Sequence, residues 1–206
     1  MAPVLVDDIP ALSLLYEAGK MGHSPLGPME AATPAHNHQV ATIRGDITTL
    51  AVDVIVNAAN CSLLGGGGVD GAIHRAAGRE LLAECRALNG CDTGSSKMTD
   101  AYKLPCKKVI HTVGPVYRVR QLQQCETALR SCYQSALELA VQHQLKTIAF
   151  CAISTGIYGY PSCDAATVAC ATVSRFLATE DGKKLDKVIF VTFEESDVRA
   201  YKQLLP

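Results

Sequence analysis

The sequence predicts an α/β protein, a three-layer α/β/α sandwich around a mixed, largely parallel sheet. Two patterns carry that expectation. Apolar runs such as Val54-Ile55-Val56, Val109-Ile110 and Val188-Ile189-Phe190-Val191 are continuous and do not alternate with polar residues, which marks strands buried on both faces. They are interleaved with segments whose apolar residues recur at helical spacing. A third observation concerns function. Gly65-Gly66-Gly67-Gly68 lies between one of these strands and a helix that begins near Asp70. Ordering four glycines costs much conformational entropy, which a fold tolerates mainly where backbone must pass close to something. At a strand-to-helix junction that something is often an anion held on backbone N–H groups.

Taken in order, residues 1–38 precede the main domain, which fills 39–206. Asp8-Ile9-Pro10 is expected to start a short helix, Asp as cap and Pro in the first turn, with Leu12, Leu15 and Tyr16 on the face that packs on the domain. The stretch 20–38, rich in Gly, Pro, Ala, His and Asn, reads as a linker. Strands are expected at 40–43, 52–56, 97–102, 109–113, 147–153 and 188–193, and helices at 70–77, 79–88, 122–142, 162–178 and from 196. In the long helix, Leu122, Cys125, Leu129, Cys132, Tyr133, Ala136, Leu137 and Ala140 form one stripe. In the next, Ser162 is the expected cap, with Ala166, Cys170, Val173 and Leu177 inward. The last turns Val198, Tyr201 and Leu205 inward.

Composition narrows the function. Of 206 residues, 48% are hydrophobic and 19% charged, which is globular. A formal net charge of -1 argues against sequence-independent binding to a nucleic-acid backbone. No apolar run reaches the roughly 18 residues of a membrane span, and Asp7 and Asp8 interrupt any signal-like start. The nine cysteines include no CxxC pair and no Cys/His spacing typical of zinc, so free thiols in a reducing compartment, cytoplasm or nucleus, are expected. No metal, no cofactor and no obligate oligomer are expected.

In an open α/β sheet the ligand lies beyond the carboxyl ends of the strands. The segments there are Gly45-Asp46-Ile47, Asn57-Ala58-Ala59-Asn60 with the glycines, Gly114-Pro115, Ser154-Thr155-Gly156-Ile157-Tyr158-Gly159, and Phe193. They hold amides, small hydroxyls, two carboxylates and two aromatics, and no base but Arg44 beside them. A phosphate held here would rest on backbone N–H groups, and an aromatic could stack on a base or sugar. The P-loop pattern is absent. Gly66 to Gly71 satisfies GxGxxG only because a glycine run does so by accident, and no acidic strand end follows some 20 residues on.

These segments, together with Thr48, Leu63-Leu64, Gly71-Ala72-Ile73-His74 and Val109-Ile110-His111-Thr112-Val113, resemble the macrodomain family, most of all its MacroD-type branch. The resemblance covers about residues 39–205 through five motifs in the right order. It implies binding of ADP-ribose and hydrolysis of mono-ADP-ribose from acidic protein side chains. It further implies that Asp46 accepts from the adenine amino group with Ile47 beside it, and that Phe193 stacks on the adenine. Ser154, Thr155, Gly156, Ile157 and Tyr158 would cradle the diphosphate, and Gly67, Gly68 and Val69 would close the other side. Asn60 would hold the distal ribose, Asp70 would orient or deprotonate water at the anomeric carbon, and Asn57 would brace the loop. A carboxylate at a helix N-terminus tends to stay ionised and is a weak base, so the substrate's own phosphate is the alternative proton acceptor. His74 and His111 read as structural.

A reader domain that binds ADP-ribose without cleaving it is the rival expectation; it need not keep Asn60 and Asp70 with four glycines. Deacetylation of O-acetyl-ADP-ribose and removal of ADP-ribose from nucleic-acid ends are further reactions such a pocket can perform. Poly(ADP-ribose) cleavage is not expected, because that branch carries paired glutamates after its glycines where this chain has Val69-Asp70.

Overall fold

The computed structural model describes residues 2–19 and 34–205. In chain order the strands are β1 (Val4–Leu5), β2 (Val40–Arg44), β3 (Leu50–Ala51), β4 (Val54–Ala59), β5 (Ser96–Asp100), β6 (Lys108–Val113), β7 (Thr147–Phe150) and β8 (Lys187–Thr192). The α-helices are α1 (Leu12–Glu17), α2 (Gly68–Ala77), α3 (Arg79–Ala87), α4 (Leu122–Gln142), α5 (Ser162–Leu177) and α6 (Glu195–Leu204). The main sheet runs β2-β8-β7-β4-β6-β5, parallel throughout except for the edge strand β5. Helices cover both faces. On β6, the His111 ring meets Cys85 of α3, while its neighbour Thr112 reaches, through Ser96, to Ser135 of α4. Alternate residues of one strand thus meet opposite helical layers.

The continuous apolar runs are buried as their pattern requires: Val54, Ile55, Val56, Val109, Ile110, Val188 and Ile189 are all inaccessible to solvent. The α4 stripe is buried from Cys125 to Ala140, but Leu122, in the first turn, is half exposed. Aromatic rings link the layers, Tyr133 against Phe150 at 5.0 Å and Phe190 against Tyr201 at 4.8 Å between centroids.

Three expectations are corrected. The first helix starts at Leu12, not at Asp8; Asp8 instead caps a short 3₁₀ turn, accepting from Leu5 N. Residues 2–17 are also more than a preamble, since β1 pairs with β3 and Ile9 and Leu12 are core residues, each 1% exposed. The linker reading of 20–38 lies mostly outside the described residues. Second, β4 begins two residues late and runs on through Asn57 and Ala58, because Val52 and Asp53 form a bend: Asp53 Oδ2 accepts from Lys146 and Thr147 N. Third, β7 stops at Phe150 and α5 has no side-chain cap; Pro161 holds the capping position.

Topology then fixes where a ligand can lie. From β4 the chain passes through α2 and α3 to β5 and β6, on one side. From β7 it passes through α5 to β8, on the other. Adjacent strands whose continuations diverge leave a crevice at their carboxyl ends. The glycine run follows β4 and Ser154–Tyr158 follows β7, so these two loops face each other.

Candidate functional site

A cavity of about 580 Å³ opens at this crevice. Asp46, Ile47, Asn60, Gly67, Gly68, Val69, Asp70, Ser154, Thr155, Gly156, Ile157, Tyr158 and Phe193 all line it, as do Ala72, Arg75, Gly114, Cys151, Glu194 and Asp197. The two loops come close: a Cβ on Gly67 would lie 3.1 Å from Ile157 Cδ1.

One half of the cavity is built on buried polar groups. Asp70, in the first turn of α2, is 3% exposed. Its Oδ1 accepts from Asn57 Nδ2 at 2.7 Å, and its Oδ2 has no partner. Asn57 sits inside β4 and is fully buried, so it braces Asp70 and not the loop. The same Nδ2 lies 3.0 Å from His111 Nδ1, and His111 Nε2 lies 3.0 Å from Thr99 Oγ1. With Asn57 donating to both neighbours, His111 must accept at Nδ1 and carry its proton on Nε2. That tautomer holds the amide face that holds the carboxylate. Burial, and secondarily His74, pushes the His111 pKa down to about 3, so the ring is neutral at any physiological pH.

His74, one turn along α2, brings Nε2 to 3.4 Å from Asp70 Oδ1. It is therefore a neighbour of the acid, a placement the sequence does not signal. Burial raises the Asp70 pKa, opposed by the Asn57 hydrogen bond and by His74. Desolvation outweighs the helix end here, so the expected weak base is a stronger one. Among the described residues, His74, Cys85 and His111 bring three potential metal donors within 4.8 Å of one another. Their separations along the chain follow no metal-binding motif, and only the fold gathers them. As arranged, both nitrogens of His111 are already engaged.

Asn60 leaves the strand and shapes the glycine run. Its Oδ1 accepts from Ser62 N and Oγ, and its Nδ2 donates to Gly65 O at 2.9 Å. Gly66 is where close approach demands glycine: a Cβ there would stand 3.1 Å from Asp70 Oδ2 and 3.3 Å from Asn60 Nδ2. The two polar side chains thus converge on one backbone position.

The opposite wall is backbone. Ser154 adopts φ 68°, uncommon for a residue other than glycine, and its buried Oγ has no partner. Thr155 Oγ1 donates to buried Asp197 Oδ2 of α6 at 3.3 Å, and Tyr158 O accepts from Tyr117 N at 2.9 Å. These bonds pin a loop whose residues border the cavity. Further along, Asp46 Oδ1 accepts from Thr48 N and Oγ1, leaving Oδ2 open. Phe193 is 71% exposed, so it is a cavity wall and not core.

Asp197, Glu194 and Arg75 were not among the expected site residues. In sequence, Asp197 and Glu194 lie near the start of the last helix and Arg75 within the helix that follows the glycines. Nothing in the chain order signals that α6 and the outer face of α2 border the same cavity.

Residues 56–169 match the family model for the Macro domain. The chain belongs to the macro domain family. This macro domain is 56% identical over 167 residues to an ADP-ribose glycohydrolase, MACROD2, of Xenopus laevis, covering 81% of the chain and 40% of that protein. It is 54% identical to a macro domain-containing protein of Chlorobaculum tepidum, covering 82% of the chain and 96% of that protein. The chain thus spans two fifths of the Xenopus relative and nearly all of the bacterial one. Among solved structures, the Trypanosoma brucei macrodomain in complex with ADP-ribose is 41% identical, with a TM-score of 0.81 over 98% of this chain and 77% of that one.

Proposed function

We propose that this macro domain binds ADP-ribose and hydrolyses mono-ADP-ribose from acidic side chains of proteins. One observation carries the hydrolytic reading: a buried carboxylate, braced through Asn57, keeps one oxygen unpartnered in the cavity wall beside Asn60. A module that only binds has no need of such an arrangement. A relative named as an ADP-ribose glycohydrolase and a structural neighbour holding ADP-ribose support the same reading.

The substrate ester joins a protein carboxylate to the anomeric carbon of the distal ribose. Water adds to that carbon as its bond to the ester oxygen breaks; the carboxylate leaves with the bonding electrons. Positive charge on the sugar is largest between these events, as in glycoside hydrolysis. Asn60 positions the ribose, and Asp70 orients the water and accepts its proton. Its raised pKa brings it nearer the operating pH, where a general base is most effective. The backbone of Ser154–Tyr158 and the glycine run hold the diphosphate between them. The edge formed by Asp46, Ile47 and Phe193 takes the adenine.

The same pocket extends to O-acetyl-ADP-ribose and to ADP-ribosylated nucleic-acid ends, whose ester and phosphoester linkages also lie at the distal ribose. Nine free cysteines, seven of them buried, support work in a reducing compartment, cytoplasm or nucleus. The test incubates the chain with a mono-ADP-ribosylated acidic peptide, follows release by mass spectrometry, and measures ADP-ribose affinity by calorimetry. Binding with release is expected. Tight binding without release would make the domain a reader.

A further inference from the structure

The cavity carries four acidic side chains in its wall, Asp46, Asp70, Glu194 and Asp197, and, among the described residues, one basic one, Arg75. Arg44, beside Gly45 of the wall, pairs with Glu195 at 2.9 Å. Arg75 is exposed and makes no ion pair or hydrogen bond with another described residue. An unpaired guanidinium in an otherwise acidic wall needs an account.

Its position supplies one. Arg75 lies one turn beyond Gly71 on α2, and its side chain folds back along the helix: a Cβ on Gly71 would stand 3.0 Å from Arg75 Nη1 and 2.5 Å from Gly66 O. Gly71 therefore makes room both for the glycine run and for the guanidinium. Gly66 is bracketed, with Asp70 Oδ2 and Asn60 Nδ2 at its Cα side and Gly71, beneath Arg75, at its carbonyl. The cation thus sits at the outer edge of the buried half, on the solvent side of the residues that face the distal ribose.

We infer that Arg75 receives the protein carboxylate that leaves when the ester is cleaved. The inference rests on the hydrolase reading given above. The ester is neutral in the bound substrate. As the anomeric C–O bond breaks, its electron pair passes to the carboxylate oxygen, water supplies the new oxygen on carbon, and the water proton goes to Asp70. Negative charge therefore appears on the leaving group only during the step, and a fixed guanidinium there stabilises the transition state more than the substrate. Guanidinium matches a carboxylate with two parallel hydrogen bonds. The same cation makes the pocket select acidic side chains as leaving groups over neutral ones, and it offsets the repulsion an acidic peptide meets from the rest of the wall.

The test compares the parent chain with Arg75→Gln, Arg75→Lys and Arg75→Ala on a mono-ADP-ribosylated acidic peptide, alongside calorimetry with ADP-ribose. Arg75→Gln is expected to lower kcat by about 10²- to 10³-fold, the scale of one lost transition-state donor, while ADP-ribose affinity holds. Arg75→Lys retains part of the rate, and added guanidinium ion restores part of it to Arg75→Ala. A structural role would not respond to rescue. A parallel loss of ADP-ribose affinity would assign Arg75 to the diphosphate and overturn the inference, as would unchanged turnover in Arg75→Gln. If the parent chain itself releases nothing, the hydrolase reading fails first and the assignment of Arg75 falls with it.

Discussion

The two ends of the cavity are built differently. At the end proposed for the distal ribose, Asp70, Asn57, His111 and Thr99 form a buried relay in which each side chain is placed by the next. At the end proposed for the adenine, Asp46 and Phe193 are exposed, and Asp46 is held only by its own turn. Chemistry needs a group fixed before the substrate arrives, because orientation gained in advance is not lost from the barrier. Binding an adenine needs only a face to stack on and an acceptor to meet. Substitutions at the buried end should therefore change turnover, and those at the open end affinity.

The largest effect is expected for Asp70→Asn. The substitution keeps Asn57's hydrogen-bond acceptor and removes the base, so turnover should fall by about 10²- to 10⁴-fold with ADP-ribose affinity preserved in calorimetry. Stability should move the other way. Burial holds the Asp70 pKa above its ordinary 3.8, so its favourable contribution is full below that value and is lost as pH rises through the folded-state pKa. At neutral pH the ionised acid is a net cost, and Asp70→Asn should raise Tm, by about 2–4 °C for each kcal/mol recovered. A variant that is less active and less stable would contradict the relay as drawn.

A smaller effect, confined to affinity, is expected at the open end. Phe193→Ala should weaken ADP-ribose by about 1–3 kcal/mol, the range for a base stacked on an aromatic ring. Saturating turnover should stay near that of the parent. If kcat fell with affinity unchanged, the two ends would not be separable in this way.

Subtler still is the behaviour of the relay toward acid. His111 is held neutral in the folded chain, down to about 3, against an ordinary 6.5. Unfolding between these values takes up a proton, so this residue's share of stability is lost as pH falls below 6.5. In chemical denaturation, His111→Gln should show a shallower loss between neutral and mildly acidic pH than the parent. Equal slopes would mean that His111 is not buried neutral.

Much of this architecture was legible in the sequence, for an identifiable reason. The continuous runs at 54–56 and 188–191 and the periodic stripe from Cys125 to Ala140 are local signals, and they became the sheet and α4 with few changes of boundary. The loops were legible because glycines and small polar residues at strand ends have few other uses. What failed to show was long-range. Asn57 reads as a loop amide until the fold continues β4 through it and lays Asp70 against it. His74 and His111 read as core histidines until α2 and β6 converge. Arg75 carries no signal of its own until Gly71 lets it fold back toward the glycine run. Each depends on contacts that no local pattern encodes. The Asp70 pKa was misjudged for the same reason, since the helix start is local while burial is a property of the whole fold.

The proposed reaction delivers water to the anomeric carbon from the buried end of the cavity. Hydrolysis of a mono-ADP-ribosylated glutamate peptide in heavy-oxygen-labelled water tests it directly. Mass spectrometry of the released peptide should find its carboxylate free of label, because the bond broken is the one to the sugar. Label in the peptide carboxylate would show attack at the acyl carbon, and would contradict the roles given to Asp70 and Arg75 together.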